Sequence, residues 1–468
     1  MITPRAPIHA LLAVAALSLV ACVARSSSVP EQPALAFTHV NVIDGADSSP
    51  LPDQTVVVRG NRIVSVAPSR SAPPPADARV IDARGKFLIP GLWDMHVHTA
   101  TIAAREVLPL YVANGVTGVR DMAGEWPTIT KFRKEIARGA LIGPRIIASG
   151  PYLEGGYVPI PHILARNPDE ARVAVDSLIR LGVDFVKVHG QLTPATYFAI
   201  ARRARERGIT FSGHVSSVVG AAAASDSGQR SLEHLLGIPA PCTPAESIAL
   251  QPRFRVQRAL GRCSSEDLTP LYARFVRNGT WVTPTFTAQY EIARWPKRAV
   301  PGDSLAHYLP DTLRRYVAAI FPMPDSIPAD ADSVGQAMFE KRLAQVATMH
   351  RAGVRILAGT DAPLRNSPPG FGLHEELRLL ARGGLTPFEI IRAATLEPAH
   401  FFGMLDSAGT IAPGKLADLV LLDANPLLDI RNTRRIAAVV ANGELYDARD
   451  RERLLRSARC DARSVCDE

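Results

Sequence analysis

The chain has 468 residues, 47% of them hydrophobic and 21% charged, so it can bury a large core. After residue 25 no apolar run reaches roughly 18 residues, and no later segment is expected to span a membrane. The formal net charge is +8, but the basic residues are scattered and almost all are arginine. That pattern indicates a compositional bias and excludes a nucleic-acid-binding stripe.

Residues 1–21 have the organisation of a bacterial lipoprotein signal peptide. Arg5 supplies a thin positive region, ALLAVAALSLVA is apolar but too short to cross a bilayer, and LVAC resembles a lipoprotein cleavage box. We expect lipidation of Cys22 and a flexible tether over residues 22–35. The mature protein would then lie in the bacterial envelope, anchored to a membrane and facing the periplasm or the exterior. An ordinary secretory signal, cut near Ala21, is the alternative.

The cysteine count agrees with export. With Cys22 assigned to the lipid, Cys242, Cys263, Cys460 and Cys466 form an even number in an oxidising compartment, where two disulfides can form. Local pairing predicts Cys242–Cys263 and Cys460–Cys466. No CxxC or zinc-finger spacing is present, so these thiols are poor candidates for metal ligands.

Short strands are predicted near both ends of the chain. FTHVNVIDG, QTVVVRGNRIVSVAP and ARVIDARG fall within residues 36–86, and the turn at 59–62 between alternating apolar residues indicates a hairpin. GKLADLVLLD and IAAVVANGELYD fall within residues 406–447. We therefore expect one small composite β-sandwich domain built from both segments, with a C-terminal tail over residues 448–468.

Residues 87–405 alternate apolar runs with amphipathic helical segments. There are eight runs, from FLIPGLWDMHVHT to RILAGTD, and the helical segments include DEARVAVDSLIRLG and PATYFAIARRARERG. This alternation favours parallel strands in an α/β fold. Eight units predict a (β/α)8 TIM barrel with its site at the C-terminal ends of the strands. An open doubly wound sheet is the alternative, but no glycine-rich phosphate turn follows the first run.

Six polar residues lie near the C-terminal ends of these runs. Residues i and i+2 of a strand face the same side, so the two histidines of DMHVH both point into the predicted barrel mouth. The lysine of DFVKVHG is unusual, because a buried ammonium is costly unless it is paired or loses its charge. Imidazole and carboxylate groups are the expected ligands of zinc and related divalent ions. The sequence therefore predicts a metal site formed by His96, His98, Lys187, His214, His234 and Asp361.

Each of these residues alone has a simpler explanation. A single histidine on an apolar strand is more often a satisfied core residue than a ligand. Asp361 in GTDAP suits a helix N-cap, and Lys187 could reach solvent or pair with Asp184. The coincidence of all six at the strand ends of one predicted barrel favours the metal site.

The ordered motifs resemble the amidohydrolase superfamily. IPGLWDMHVHT, FVKV, GHV, LEH and GTDAP match its successive barrel motifs, and GTIAPGKLADLVLLDANPLLDI matches its return to the β-sandwich. The resemblance covers residues 36 to about 447. It is nearest to the imidazolonepropionase-related, Xaa-Pro dipeptidase-like and carboxypeptidase-like members, and it implies the same barrel with a small β-sandwich.

The resemblance also implies a role for each residue of the site. It assigns two zinc ions to the site. The more buried ion would be bound by His96, His98 and Asp361, and the more exposed ion by His214 and His234. Lys187, as a carboxylated lysine, would bridge the two ions. A metal-activated hydroxide would attack the carbonyl of an amide, peptide or cyclic amide. Asp361 would pass the proton to the leaving nitrogen. Dipeptides or N-acyl amino acids suit the envelope as substrates.

Several other residues are candidates for the surroundings of the site. His189 shares a strand face with the lysine, and Tyr152 and Tyr157 lie in the glycine-rich loop after the third strand. His374 opens a helix after the eighth strand, where a substrate contact and helix packing are equally open. Glu233 adjoins a predicted ligand and is expected to face away from the site in a structural role.

Two other functions are left open. A mononuclear deaminase or imidazolonepropionase-like cyclic amidase would use the site with Lys187 unmodified, but a deaminase needs a glutamate acid near the fifth strand and FSGHVSS has none. A catalytically inactive barrel could serve as a binding lipoprotein, although such relatives typically lose ligands. Self-association is also left open.

Overall fold

The structure is a computed structural model that describes residues 33–158, 160–216, 218–238, 268–293, 305–320, 331–364 and 367–463. Cys22, Cys242, Cys263 and Cys466 lie outside those residues, as do the predicted signal peptide and nearly all of the tether. The lipidation and both disulfides therefore stay predictions.

Segments from both ends of the chain form one sheet of eight strands, namely β1 (Leu35–Val42), β2 (Leu51–Arg59), β3 (Arg62–Pro68), β4 (Arg79–Asp82), β5 (Phe87–Pro90), β15 (Leu419–Leu422), β16 (Ile436–Ala441) and β17 (Glu444–Tyr446). The order across the sheet is β17-β16-β15-β5-β1-β2-β3, and β4 pairs with β1. The predicted hairpin is the antiparallel pair β2–β3. β5 joins the two halves, because it pairs in parallel with β1 and antiparallel with β15.

This sheet encloses its own apolar core, to which β1, β2, β5, β15 and β16 all contribute. The edge strand β3 also contacts the segment before β15. Ile63 N–H donates to the Lys415 carbonyl at 2.9 Å, and the Ile63 carbonyl accepts from Gly414 N–H at 2.8 Å. The predicted composite domain is thus confirmed, but its boundary moves. Residues 87–90 were assigned to the barrel, whereas they form the strand that unites the composite sheet.

Seven strands and one extended segment form the barrel: β6 (Leu92–Val97), β7 (Val116–Asp121), β8 (Arg145–Ala148), β11 (Val186–Val188), β12 (Phe211–Gly213), β13 (Ser231–Glu233), β14 (Trp281–Thr283) and residues 354–358. Strand pairs within it are parallel. The last segment closes the ring, because Leu357 N–H donates to the Val282 carbonyl at 2.9 Å and Met95 N–H donates to the Ala358 carbonyl at 2.8 Å. Two short strands, β9 (Tyr152–Glu154) and β10 (His162–Leu164), extend from the third strand.

The helices lie between these strands and after them. They are α1 (Ala104–Ala113), α2 (Trp126–Ala137), α3 (Pro168–Leu181), α4 (Pro194–Glu206), α5 (Ala221–Asp226), α6 (Thr269–Asn278), α7 (Phe286–Ala293), α8 (Asp311–Ile320), α9 (Ala331–Arg351), α10 (Phe371–Arg382), α11 (Pro387–Ala394), α12 (Leu396–Phe401) and α13 (Ala448–Arg463). The two amphipathic segments quoted above are α3 and α4. In α3, Asn167 accepts from the first free N–H groups and Gly182 ends the helix at φ 81°.

Residues 448–463 of the predicted C-terminal tail form a helix, α13. α13 packs against α1, where Ala458 is buried with Val107 and Leu110. Arg451 Nε donates to the Ala113 carbonyl at 2.8 Å. No helix within the described ranges is both long and apolar enough to cross a membrane.

Candidate metal centre

His96 lies on the first barrel strand with its ring fully enclosed. Its Nδ1 lies 2.8 Å from Glu233 Oε2, and because a carboxylate oxygen accepts, Nδ1 carries the hydrogen. Nε2 therefore presents a lone pair, and it is buried without a hydrogen-bond partner among the described residues. A buried polar atom in this state is costly unless something binds it, as a metal ion would.

His98 and Asp361 complete a group of three candidate ligands. Asp361 Oδ1 lies 3.3 Å from His96 Nε2 and 3.1 Å from His98 Nε2, and one ligand atom of each residue lies within 4.8 Å of the others. Asp361 N–H donates to the His96 carbonyl at 2.7 Å, which fixes the first strand against the eighth. Burial alone would raise the pKa of Asp361, but the hydrogen bond with His98 and the nearby Lys187 hold that pKa below its usual value.

Two further histidines extend this group. His214 follows the fifth strand and His234 the sixth, and their ring centroids are 4.8 Å apart. The His234 ring lies 4.5 Å from that of His96, and its Nδ1 is 2.7 Å from Thr285 Oγ1. Burial lowers the pKa of His234 to about 3 and lowers that of His214, so both rings are neutral at pH 7. Neutral imidazole is the form that binds a metal ion.

The backbone at His234 is strained and firmly held. His234 has φ 60° and Leu235 has φ 57°, a left-handed conformation that costs a non-glycine residue about 1–2 kcal/mol. Such a conformation persists where the surroundings fix it. His234 N–H donates to the Thr283 carbonyl at 3.0 Å, and the His234 carbonyl accepts from Arg342 Nη1 at 2.6 Å.

Lys187 is buried in the fourth strand at 2% exposure. The fifth strand makes room for it, because a Cβ on Gly213 would lie 2.8 Å from Lys187 Cδ and 2.1 Å from the Val188 carbonyl oxygen. Burial lowers the pKa of Lys187 to about 8, although Glu233 and Asp361 raise it. Near that pH a large share of the side chain is therefore the neutral amine.

The residues present fit a divalent metal ion. Imidazoles and an ionised carboxylate converge at the barrel mouth, and an enclosed imidazole nitrogen lacks a protein partner. This donor chemistry suits zinc and related ions. The group within the described part of the chain that could hold an ion is His96, His98 and Asp361, with His214, His234 and Lys187 beside it.

Glu233 faces the barrel interior, so the prediction that it faces away from the site is wrong. It is fully buried and accepts from Arg120 Nη2 at 2.9 and 3.0 Å as well as from the His96 ring. The prediction assumed that strand alternation continues to His234. The left-handed backbone of His234 ends that alternation, so neighbouring side chains both reach the centre. Glu233 orients a candidate ligand and neutralises Arg120.

Residues 87–446 match the model of the amidohydrolase family. The chain belongs to that family. It is a hydrolase that acts on carbon–nitrogen bonds, and the family's general use of a divalent metal agrees with the donor set above.

Individual relatives are distant but extensive. A dihydroorotase from Anaeromyxobacter dehalogenans is 25% identical over 410 residues, which cover 79% of this chain and 84% of the dihydroorotase. A bottromycin amidohydrolase structure aligns with a TM-score of 0.73 and 23% identity over 92% of this chain and 91% of its own. A Xaa-Pro dipeptidase structure with bound methionine aligns with a TM-score of 0.65 and 21% identity, over 89% of this chain and 100% of the dipeptidase chain. These alignments bear out the predicted barrel with an additional domain.

His189 of this amidohydrolase lies beside the candidate ligands. Its ring is 4.1 Å from that of His214 and 4.5 Å from that of Tyr152. Its Nδ1 is hydrogen-bonded to Glu154, a fully buried carboxylate that also accepts from the N–H groups of Gly155 and Gln191. Sequence reasoning missed Glu154, although an acid in a glycine-rich loop after a barrel strand is a usable signal.

The other residues predicted to contact the substrate lie in different surroundings. Tyr152 is buried against His189, whereas Tyr157 is 81% exposed beside His162. His374 is 5% exposed, with Nδ1 3.0 Å from Thr433 Oγ1 and Nε2 3.0 Å from the Asn114 carbonyl. Both ring nitrogens are therefore occupied by hydrogen bonds within the protein, and burial lowers the pKa of His374 to about 4. The structure therefore favours helix packing over a substrate contact for His374.

Asp94 also positions the ligands and was not predicted. It accepts from the N–H groups of His96 at 3.3 Å and Thr360 at 3.0 Å, and from Thr360 Oγ1 at 2.7 Å. Burial raises the pKa of Asp94 to about 7. Its place two residues before His96, on the same strand face, could have indicated this role.

Proposed function

We propose that this amidohydrolase cleaves the amide bond of a dipeptide or an N-acyl amino acid at a binuclear zinc centre. The observation that carries the proposal is the buried Lys187 beside histidines and the Asp361 carboxylate. An enclosed lysine is costly unless its charge is removed or compensated. The fold likeness to a Xaa-Pro dipeptidase supports a peptide-type bond as the target.

The chemistry of Lys187 supports two ions rather than one. With its pKa near 8, the neutral Nζ is available to form a bond to the carbon of carbon dioxide, with release of a proton. The side chain then changes from a cation to an anion, which two cations would compensate. In this arrangement the more buried ion would be held by His96, His98 and Asp361. The more exposed ion would be held by His214 and His234. Carboxylated Lys187 would bind both ions.

The residues around the centre divide the remaining work. When bound, the metal ions would polarise the scissile carbonyl and lower the pKa of water towards neutrality. Asp361, ionised in the folded chain, would accept a proton at Oδ1 and deliver it to the leaving nitrogen. Glu233 holds His96 with Nε2 free, and Glu154 holds His189 where it could orient the substrate.

A cyclic amide is the second candidate substrate. The extensive alignment with a dihydroorotase favours it, and the same attack on a ring carbonyl would open the ring. The products separate the candidates: a dipeptide gives two amino acids, a cyclic amide gives one linear acid, and a mononuclear deaminase with unmodified Lys187 gives ammonia.

The deciding experiment is metal content per chain, measured by plasma mass spectrometry. The protein would be expressed from residue 27 with zinc and bicarbonate supplied, then assayed on dipeptides, N-acyl amino acids and cyclic amides. Two ions with release of amino acids support the proposal. One ion would favour the mononuclear alternative, and no ion after reconstitution would favour an inactive binding barrel.

We also propose that the protein is exported and anchored through a lipid on Cys22. The organisation of residues 1–21 and the LVAC box support this. Cys22→Ala should move the full-length protein from the membrane fraction into the soluble fraction. Unchanged fractionation and detergent partitioning would contradict the lipid anchor.

A further inference from the structure

We propose that Arg342 is a positioning residue for the more exposed metal ion, acting through the backbone of His234. This inference rests on the proposed function, because it needs an ion at His214 and His234. Arg342 lies on α9, the helix that precedes the eighth barrel segment, and more than 100 residues from His234 in sequence.

Arg342 belongs to a set of hydrogen bonds that we call the His234 clamp, formed by Arg342, Gln289, Pro284 and Thr285. Arg342 Nη1 donates to the His234 carbonyl at 2.6 Å and to Gln289 Oε1 at 2.7 Å. Gln289 Nε2 donates to the Pro284 carbonyl at 2.5 Å. Pro284 adjoins Thr285, whose Oγ1 lies 2.7 Å from His234 Nδ1. The clamp thus holds both the carbonyl and the ring of His234.

An ion pair does not explain this arginine. Arg342 is 5% exposed, and no carboxylate of the described residues lies within salt-bridge distance of it. Its Nε is buried without an acceptor among those residues. A buried guanidinium in that setting costs stability, and an apolar side chain of similar length would fill the space at lower cost. The contact that distinguishes arginine here is the one to the His234 carbonyl.

The conformation of His234 gives that contact a purpose. His234 and Leu235 are both left-handed, so the peptide between them is held against its own preference. Without the donor on its carbonyl, this peptide loses one of the contacts that hold it, and rotation of the peptide would turn the imidazole away from His214. His96 is held separately by Glu233. Loss of Arg342 should therefore weaken the binding of the more exposed ion and leave the binding of the more buried ion unchanged.

The test is stepwise zinc binding, measured by competition with a chelator of known affinity. Arg342→Met should weaken the second zinc step about 10- to 100-fold and leave the first within about threefold. Arg342→Lys, which keeps a charge and a donor, should fall between Arg342→Met and wild type. Guanidinium ion added to Arg342→Ala, which leaves the space of the arginine side chain open, should restore part of the second step, an effect that general loss of packing would not give.

Arg230→Met is the matched control. Arg230 precedes the same barrel strand that His234 follows, and it too donates to a backbone carbonyl, that of Phe401, at 3.0 and 3.3 Å. It lies at the opposite end of the strand from the metal centre. Both zinc steps should be unchanged in Arg230→Met.

The outcomes are distinguishable. A folded Arg342→Met with an unchanged second step overturns the inference and leaves the proposed function intact. Wild-type protein that binds a single zinc ion removes the binuclear centre and this inference together, before any variant is needed. If circular dichroism shows that Arg342→Met does not fold, Gln289→Leu, which loosens the clamp but keeps the arginine, replaces it. That variant should weaken the second step about threefold or more, and no change would overturn the inference.

Discussion

Replacing Arg120 by methionine tests how the barrel interior holds its charges. Arg120 and Glu233 are both fully enclosed. Arg120 Nε donates to the Met95 carbonyl at 2.6 Å, Nη1 to Ser231 Oγ at 2.8 Å, and Nη2 to Glu233 at 2.9 and 3.0 Å and to Thr283 Oγ1 at 3.1 Å. Methionine would fill much of the space but would leave the Glu233 carboxylate buried without its counter-charge.

The expected cost follows from that isolated charge. Removing one partner of a buried ion pair typically lowers the free energy of unfolding by about 3–5 kcal/mol. Glu233→Gln in the same background removes the negative charge and keeps an acceptor for His96 Nδ1. The double variant should therefore be more stable than Arg120→Met alone, by about 1–3 kcal/mol.

Urea unfolding of the metal-free protein, followed by tryptophan fluorescence, measures both differences. Arg203→Met is the control, because Arg203 pairs with Asp176 at the surface, where solvent screens the interaction and the loss should be much smaller. The reasoning is refuted if the double variant is no more stable than Arg120→Met, or if Arg120→Met resembles Arg203→Met.

Three further predictions concern single side chains. Lys187→Arg keeps the positive charge but cannot form the bridging carbamate, so turnover at saturating zinc should fall about 100-fold; near-wild-type turnover would contradict the carbamate. Glu154→Gln has one acceptor oxygen in place of two, so it cannot accept from the His189 ring as well as from the N–H groups of Gly155 and Gln191. KM should therefore rise several-fold with zinc content unchanged, and an unaltered KM would remove His189 from substrate binding. Burial holds the pKa of His374 at about 4, below the value of 6.5 in the unfolded chain. The unfolded chain therefore takes up a proton first as the pH falls, and the free energy of unfolding decreases between pH 6.5 and pH 4 by up to about 3 kcal/mol. His374→Gln should lessen this loss in pH-dependent unfolding of the metal-free protein, and an identical pH slope would show that His374 does not cause it.

The convergence of the candidate ligands could be predicted because it depends on local rules. Strand alternation places His96 and His98 on one face, and the carboxyl ends of parallel strands meet at one end of a barrel. Helix limits were also readable, as with Asn167 and Gly182 around α3. These signals lie within a few residues of the elements they define.

The groups that hold the ligands were harder to predict because they act across the chain. Arg120 reaches Glu233 over 113 positions and Arg342 reaches His234 over 108, and neither carries a local pattern. Glu233 was misplaced because a left-handed residue interrupts the strand period. The assignment of residues 87–90 failed for a similar reason, since a strand that is apolar throughout does not show which of two sheets it joins.

The way β5 passes into β6 has a consequence for incomplete chains. One residue, Gly91, separates the central strand of the composite sheet from β6, which carries His96 and ends directly before His98. The Gly91 N–H donates to the Asp418 carbonyl at 2.7 Å. A chain cut short before β15 would lack both that carbonyl and the neighbour that β5 needs on one side. Its barrel would begin from a strand that is paired on one side only, with β1, although every candidate metal ligand had already been synthesised. Hydrolysis would therefore depend on the last strands of the protein, which lie in the composite sheet and not in the barrel.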